Sequence, residues 1–153
     1  MPVTGVLQPG SQAVITRTGV AAVDGAQVSG DVVPIMDGFE VVAEVELTVN
    51  GGPATFDARV SVEMSTDGTN WHEIARFADH TNAAAHAKQV IRIGLAGAGS
   101  ISDLTPSALG SASAAGAIKD GPVAGFLRMV SKLQTLTGGT SPTVDFKVRL
   151  AVG

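Results

Sequence analysis

Apolar and polar residues alternate with a period of two along several stretches of this chain, the spacing of strands with one buried face. Over residues 54–64 the apolar Phe56, Ala58, Val60, Val62 and Met64 are separated by Asp57, Arg59, Ser61 and Glu63. Asp67-Gly68 then predicts a turn, because Asp bonds its own backbone and Gly tolerates positive φ. Trp71, Ile74 and Phe77 anchor a returning strand over residues 70–77. Residues 39–49 repeat the pattern, with Val41, Ala43, Val45, Leu47 and Val49 on one face and Glu40, Glu44, Glu46 and Thr48 on the other. Asn50-Gly51-Gly52-Pro53 predicts a hairpin between these two long strands, making a three-stranded meander.

Further along, residues 88–95 read as a strand with Gln89, Ile91, Ile93 and Leu95 on one face and Val90 and Arg92 on the other. Residues 123–136 and 143–152 are predicted to pair as a second hairpin around residues 137–142. In its last strand Val144, Phe146, Val148 and Leu150 alternate with Asp145, Lys147 and Arg149. Residues 126–132 are two-sided: Leu127 and Met129 share one face, while Phe126 and Val130 share the other with Arg128 and Lys132.

The remaining segments lack this regularity. Residues 1–22 are broken by Pro9-Gly10 and Gly19, and read either as an extended arm that docks on a neighbour or, at residues 13–16, as an edge strand. Residues 23–38 are turn-rich, with Val28 and Val32-Val33 as short strand centres. Residues 78–87 read as a loop or one helical turn. In residues 96–121, 17 of 26 are Ala, Gly or Ser, which excludes a strand; Thr105-Pro106 there suits a helix start, for a short helix over residues 106–115. A loop of this length suits a contact surface. The whole predicts an all-β antiparallel β-sandwich, jelly-roll-like or Ig-like, as a single domain over residues 1–153. An extended N-terminal arm and one long Ala/Gly/Ser-rich loop complete it.

Composition sharpens this picture. Aromatic residues are only 4% against 44% hydrophobic, so the core is aliphatic, which favours strands. The chain has no Cys, which removes disulfides, thiolate nucleophiles and Cys-based zinc sites. No segment approaches the roughly 20 apolar residues of a membrane span, and the first residues lack a signal-peptide pattern, so cytoplasmic synthesis without membrane insertion is expected. The net charge of −4 argues against nucleic-acid binding. Residues 1–87 hold 3 basic and 11 acidic side chains and residues 88–153 hold 7 and 3, so the halves carry −8 and +4. Opposite charges on neighbouring strands of one sheet account for this asymmetry; attraction between subunits is the alternative.

The candidate chemistry is sparse. His80 and His86, with Asp79 adjacent, are the only histidine cluster, but no third ligand stands at zinc spacing, and solvated loop histidines explain them better. Asp67, Asn70 and Glu73 lack the ligand ladder of a calcium loop, and a β-turn explains them. Gly94, Gly97 and Gly99 are not followed by the Lys-Ser/Thr of a phosphate cradle. Gly110-Ser111-Ala112-Ser113-Ala114 lacks the second Gly of a nucleophile elbow. A lone Trp71 in a chain without Tyr makes a poor sugar platform and suits a core or half-buried anchor. No catalytic, cofactor-binding or metal-binding residues are therefore assigned, and no enzyme activity or cofactor is expected.

Two passages carry a resemblance: Ser65-Thr66-Asp67-Gly68-Thr69-Asn70-Trp71 running into Ile74-Ala75-Arg76-Phe77, and Gly139-Thr140-Ser141-Pro142-Thr143-Val144-Asp145-Phe146-Lys147-Val148. This S-x-D-G-x-x-W turn and G-T-S-P hairpin resemble small bacteriophage virion proteins of β-sandwich fold, over roughly residues 39–152. The resemblance implies a non-enzymatic virion structural protein, foremost a capsid decoration (cement) protein on the major capsid protein lattice, forming a homo-oligomer with a trimer favoured. A tail or baseplate structural protein is the alternative it leaves open. A carbohydrate-binding adhesin module is the reading from another class. Residues 1–38 and the Ala/Gly/Ser loop fall outside the resemblance.

Overall fold

Long alternating strands cannot bury their apolar faces alone, and here they do so by stacking two sheets. The computed structural model describes residues 6–7, 10–39, 41–52, 54–82, 86–93 and 123–152. Its strands are β1 (Gln12–Val20), β2 (Val28–Phe39), β3 (Val41–Asn50), β4 (Ala54–Ser65), β5 (His72–Arg76), β6 (His80–Asn82), β7 (His86–Ile93), β8 (Val123–Gly138) and β9 (Thr143–Val152). One sheet has the order β1-β9-β3-β7; the other runs β2-β8-β4-β5, with β6 also paired to β4. All these strand pairings are antiparallel. The fold is an all-β antiparallel sandwich.

The inward faces are those the alternation predicts. Val41, Ala43, Val45, Leu47 and Val49 of β3 and Val144, Phe146, Val148 and Leu150 of β9 are buried from one sheet. Phe56, Ala58, Val60 and Val62 of β4 meet them from the other, with Leu127, Met129 and Leu133 of β8. Each Val, Leu, Phe or Met side chain among them contributes about 1.5 to 3 kcal/mol on full burial. β8 buries Val130 on its opposite face as well, in keeping with its two-sided sequence.

Two predicted hairpins are corrected. β3 and β4 are not neighbours, and neither are β8 and β9: β3 pairs with β9 and β7, whereas β4 pairs with β8, β5 and β6. The turns that follow β3 and β8 therefore carry the chain from one sheet to the other. The predicted meander reduces to the β4–β5 hairpin, in which Ser61–Met64 face His72–Arg76. The physical reason is that alternation fixes which face of a strand is buried but not which sheet it joins, and the same glycine-rich turn serves both geometries. The two crossings lie together, with Thr140 N–H donating to Gly51 O at 2.7 Å. Gly51 has φ +89°, and a Cβ there would stand 2.7 Å from Thr140 O and 2.9 Å from Ser141 O, so only glycine fits.

Of the two readings for residues 13–16, the structure adopts the edge strand: β1 pairs with β9, with a register shift between Arg17 and Val20. Leu7 is buried and bridges Ile35 of β2. Val28 and Val32-Val33 belong to one continuous β2, with register shifts on either side of Val32–Ile35. Residues 80–82 and 86–87 are strand rather than loop or helix. The Ala/Gly/Ser segment 96–121, the helix expected at 106–115, Leu95 and most of residues 1–9 lie outside the described residues.

Candidate functional site

The turn that carries the resemblance is built on one carboxylate. Asp67 Oδ1 accepts from the backbone N–H of Thr69 at 2.8 Å and Asn70 at 2.7 Å and from Ser65 Oγ at 2.9 Å. Oδ2 accepts from Asn70 Nδ2 at 2.6 Å. Bonding to Asn70 N–H, then Thr69 N–H, then the Asn70 and Ser65 side chains, holds the carboxyl well below the usual range. These donors use Asp67 as an Asx-turn, as expected, and Asn70 is one of its donors rather than a co-ligand. Glu73 lies away on β5, opposite Glu63 in the register.

Trp71 sits at 6% exposure. The Arg128 guanidinium carbon lies 4.2 Å from its ring centroid, a cation–π contact. Arg128 Nε also donates to Glu63 Oε2 at 2.7 Å, so β8, β4 and the turn are joined by one stack. The ring is an anchor, as the sequence suggests.

His80 departs from expectation. It is 2% exposed on β6 opposite Ala58, with hydrogen-bond partners for neither ring nitrogen, so it is no solvated loop residue. Burial pushes its pKa down to about 4, only partly opposed by Asp79. Asp79 itself accepts from Arg76 Nη2 at 2.7 Å. His86 belongs to β7 in the other sheet, opposite Thr48 in the register. The two histidines are thus divided between sheets, and among the described residues no group of three or more His, Asp or Glu stands together as a metal site. Gly94, Gly97, Gly99 and residues 110–114 lie outside the described residues.

The charge asymmetry resolves within the sheet. Glu44 and Glu46 of β3 stand opposite Arg149 and Lys147 of β9 in the register, and on the other side Glu46 stands opposite Lys88 of β7. Arg149 Nη1 reaches Glu44 at 2.7 Å and Glu46 at 3.6 Å. Acidic and basic strands are neighbours, as read from the sequence.

Two polar clamps went unread in the sequence, and they define the sandwich edges. At the β1/β2 edge, Arg17 Nη1 donates to Asp24 Oδ2 at 2.8 Å and to Ser131 Oγ at 3.2 Å. Asp24 in turn exchanges bonds with β8, its N–H donating to Leu133 O and its Oδ2 accepting from Leu133 N–H, both at 2.8 Å. The Arg17 bond, then Leu133 N–H, holds the Asp24 carboxyl below its ordinary value against the opposing effect of burial. At the other edge, Gln89 of β7 donates its Nε2 to Ala78 O and accepts from Ala78 N–H, both at 3.0 Å. The only sequence trace of the first clamp is a pair of opposite charges in a segment without periodicity. Gln89 had one, a lone polar residue sharing a strand face with Ile91, Ile93 and Leu95.

Beside the first clamp, a cleft of about 270 Å³ opens between β1 and β2, lined by Thr16, Arg17, Val28, Gly30, Asp31 and Ser131 among others. A second, of about 210 Å³, lies on the outer face of the β1-β9-β3-β7 sheet among Thr16, Thr18, Glu46, Thr48, Asp145 and Lys147. Asp145 in it is engaged by Gly19 N–H at 2.7 Å and Asn50 Nδ2 at 3.0 Å.

No family model and no curated protein matches the chain. Among solved structures it is similar to one of the infectious bursal disease virus Gx strain, at 11% identity and a TM-score of 0.29, over 91% of this chain and 32% of that chain. A structure of T=1 particles derived from infectious bursal virus gives 14% identity and a TM-score of 0.18, over 93% and 41%. The chain spans well under half the length of either, and likenesses at this level carry no part of the functional reading.

Proposed function

We propose that this chain is a non-enzymatic structural protein of a bacteriophage virion, a capsid decoration (cement) protein that bridges and stabilises neighbouring major capsid subunits. It is made in the host cytoplasm and sits on the capsid surface. The observation that carries the reading is that the chemistry-bearing residues of the resembling turn are engaged by other groups of the same chain. Asp67 accepts from four donors of its own turn, and Trp71 is buried beneath Arg128, which is itself held by Glu63. A turn used this way holds a surface in shape rather than presenting a reactive group. The same burial weighs against the adhesin reading, since a stacking platform needs an open ring face. The virion location rests on the resemblance of residues 65–77 and 139–148.

The test is cosedimentation of the purified full chain with capsids lacking it and, separately, with tails. Saturable binding to capsids alone is expected. Binding to tails alone would move the protein to the tail or baseplate, and binding to neither would overturn the virion reading.

A further inference from the structure

We propose that β1 is a self-association edge, at which a second copy of this chain adds its own β1 antiparallel about a two-fold axis. Unpaired sheet edges are ordinarily blunted by short strands, charge, proline or a covering segment. The other edges here carry such devices. β5 and β6 are five and three residues long, and β7 holds Lys88 and Arg92 within its eight residues. β2 contains Asp31, Pro34 and Asp37, and Leu7 N–H donates to Pro34 O at 2.7 Å along its edge.

Among the described residues, β1 has none of these over Gln12–Arg17, where its pairing runs to β9 alone. Ala13 and Ile15 are buried, and the exposed row between them is Gln12, Val14 and Thr16. Its one charge, Arg17, is occupied by Asp24.

Charge selects the occupant. Two-fold pairing sets a strand against its own reversed copy: with the axis at Val14, Val14 meets Val14 and Gln12 meets Thr16, so no outward charge is opposed. On β1 the exposed row is neutral, and β-branched Val14 and Thr16 make favourable cross-strand partners. By register, the same operation centred on Pro34 of β2 sets position 31 against position 37, both Asp, and centred on Val90 of β7 sets position 88 against position 92, both basic. The surroundings agree: Val14 is 45% exposed, and Val6, Val23, Val28 and Val32 are exposed on β2 or on the segments leading to β1 and β2. A two-fold makes the unit a dimer, in place of the trimer the resemblance implies. The inference does not depend on the virion reading, and its test involves no particle.

Sedimentation equilibrium of the full chain from low to high micromolar concentration should give twice the chain mass for the native protein. For Val14→Lys, which puts a charge against itself at the two-fold, the apparent mass should halve, with an unchanged far-ultraviolet spectrum. The chain has no Cys, so a single Cys introduced by Val14→Cys should cross-link into dimers on mild oxidation, whereas Val90→Cys on β7 should not. A native monomer throughout, a Val14→Lys dimer, or cross-linking through Val90→Cys in place of Val14→Cys would each overturn the proposal.

Discussion

The β1/β2 edge and the β5/β7 edge of this sandwich meet the same problem with different means. Each must hold two sheets together where the strands end and water begins. At β1/β2 the link is ionic, with Arg17 gripping Asp24 and Asp24 gripping the Leu133 backbone of β8. At β5/β7 it is neutral, with Gln89 imitating a strand partner for Ala78. The strands differ too: β5 and β6 are short and the sequence of β7 holds Lys88 and Arg92, whereas β1 is long and presents Gln12, Val14 and Thr16. The lesson is that closing an edge and guarding it are separate jobs. One edge does both, and the other leaves its outer side available.

The largest contrast concerns acid. His80 lies on β6, between β5 and β7 in chain order, and its pKa falls from 6.5 to about 4 through burial. In the unfolded chain it takes up a proton as pH drops below about 6.5, while the folded chain resists until about 4. The folded state therefore keeps its full stability above that window, loses it progressively through the window, and levels off below it. The loss reaches about 3 kcal/mol. Urea midpoints of the native chain and His80→Leu at pH about 7 and about 4.5 isolate this, because the carboxylates titrate in both. Parallel losses would remove His80 from the account.

Next in size is Asp24→Ala, which leaves Arg17 and the Leu133 N–H without their partner. With side chains 21% and 12% exposed, the pair is partly screened, and a loss of about 2 kcal/mol is expected in chemical denaturation. A change below about 0.5 kcal/mol would mean that the β1/β2 edge is not held by this clamp. Gln89→Ala at the opposite edge should cost about 1 kcal/mol, since it removes two neutral hydrogen bonds near solvent. Val14→Lys should shift the stability of the monomer by no more than about 0.5 kcal/mol, because the position is exposed. A loss of several kcal/mol there would show that Val14 is a packing residue and not an outer-edge one.

How far the sequence reveals this molecule depends on what kind of signal each feature leaves. Strand phase is legible where a strand has one wet face: β3 and β9 bury the residues their alternation names, because burial on one side forces period two, whereas β4 follows it from Phe56 to Val62 but buries Ser61 and Glu63 on the face read as polar and leaves Met64 half-buried. Sheet membership is not legible from the same signal. β3 and β4 both offer an apolar face, and the glycines at 51 and 52 permit either a hairpin or a crossing. What settles the matter is the long-range pairing of Ala43 with Leu150 and Val60 with Ser131, which no local pattern encodes. Trp71 was legible as an anchor, though its partner Arg128, across the sheet on β8, was not. His80 was misread as solvated because its polar neighbours, Asp79 and Thr81, suggest a loop, whereas β6 turns it opposite Ala58 and into the core. The Arg17–Asp24 clamp spans a non-periodic segment, where charge pairs are common and geometry alone picks out the one that matters.

The unguarded β1 edge is the central claim, and amide hydrogen exchange at low and high protein concentration tests it most directly. If β1 joins a second copy, exchange over Gln12–Arg17 slows as concentration rises, while β5 and β7 keep the same rates. Exchange over β1 that is independent of concentration, or slowing at β7 instead, would contradict it.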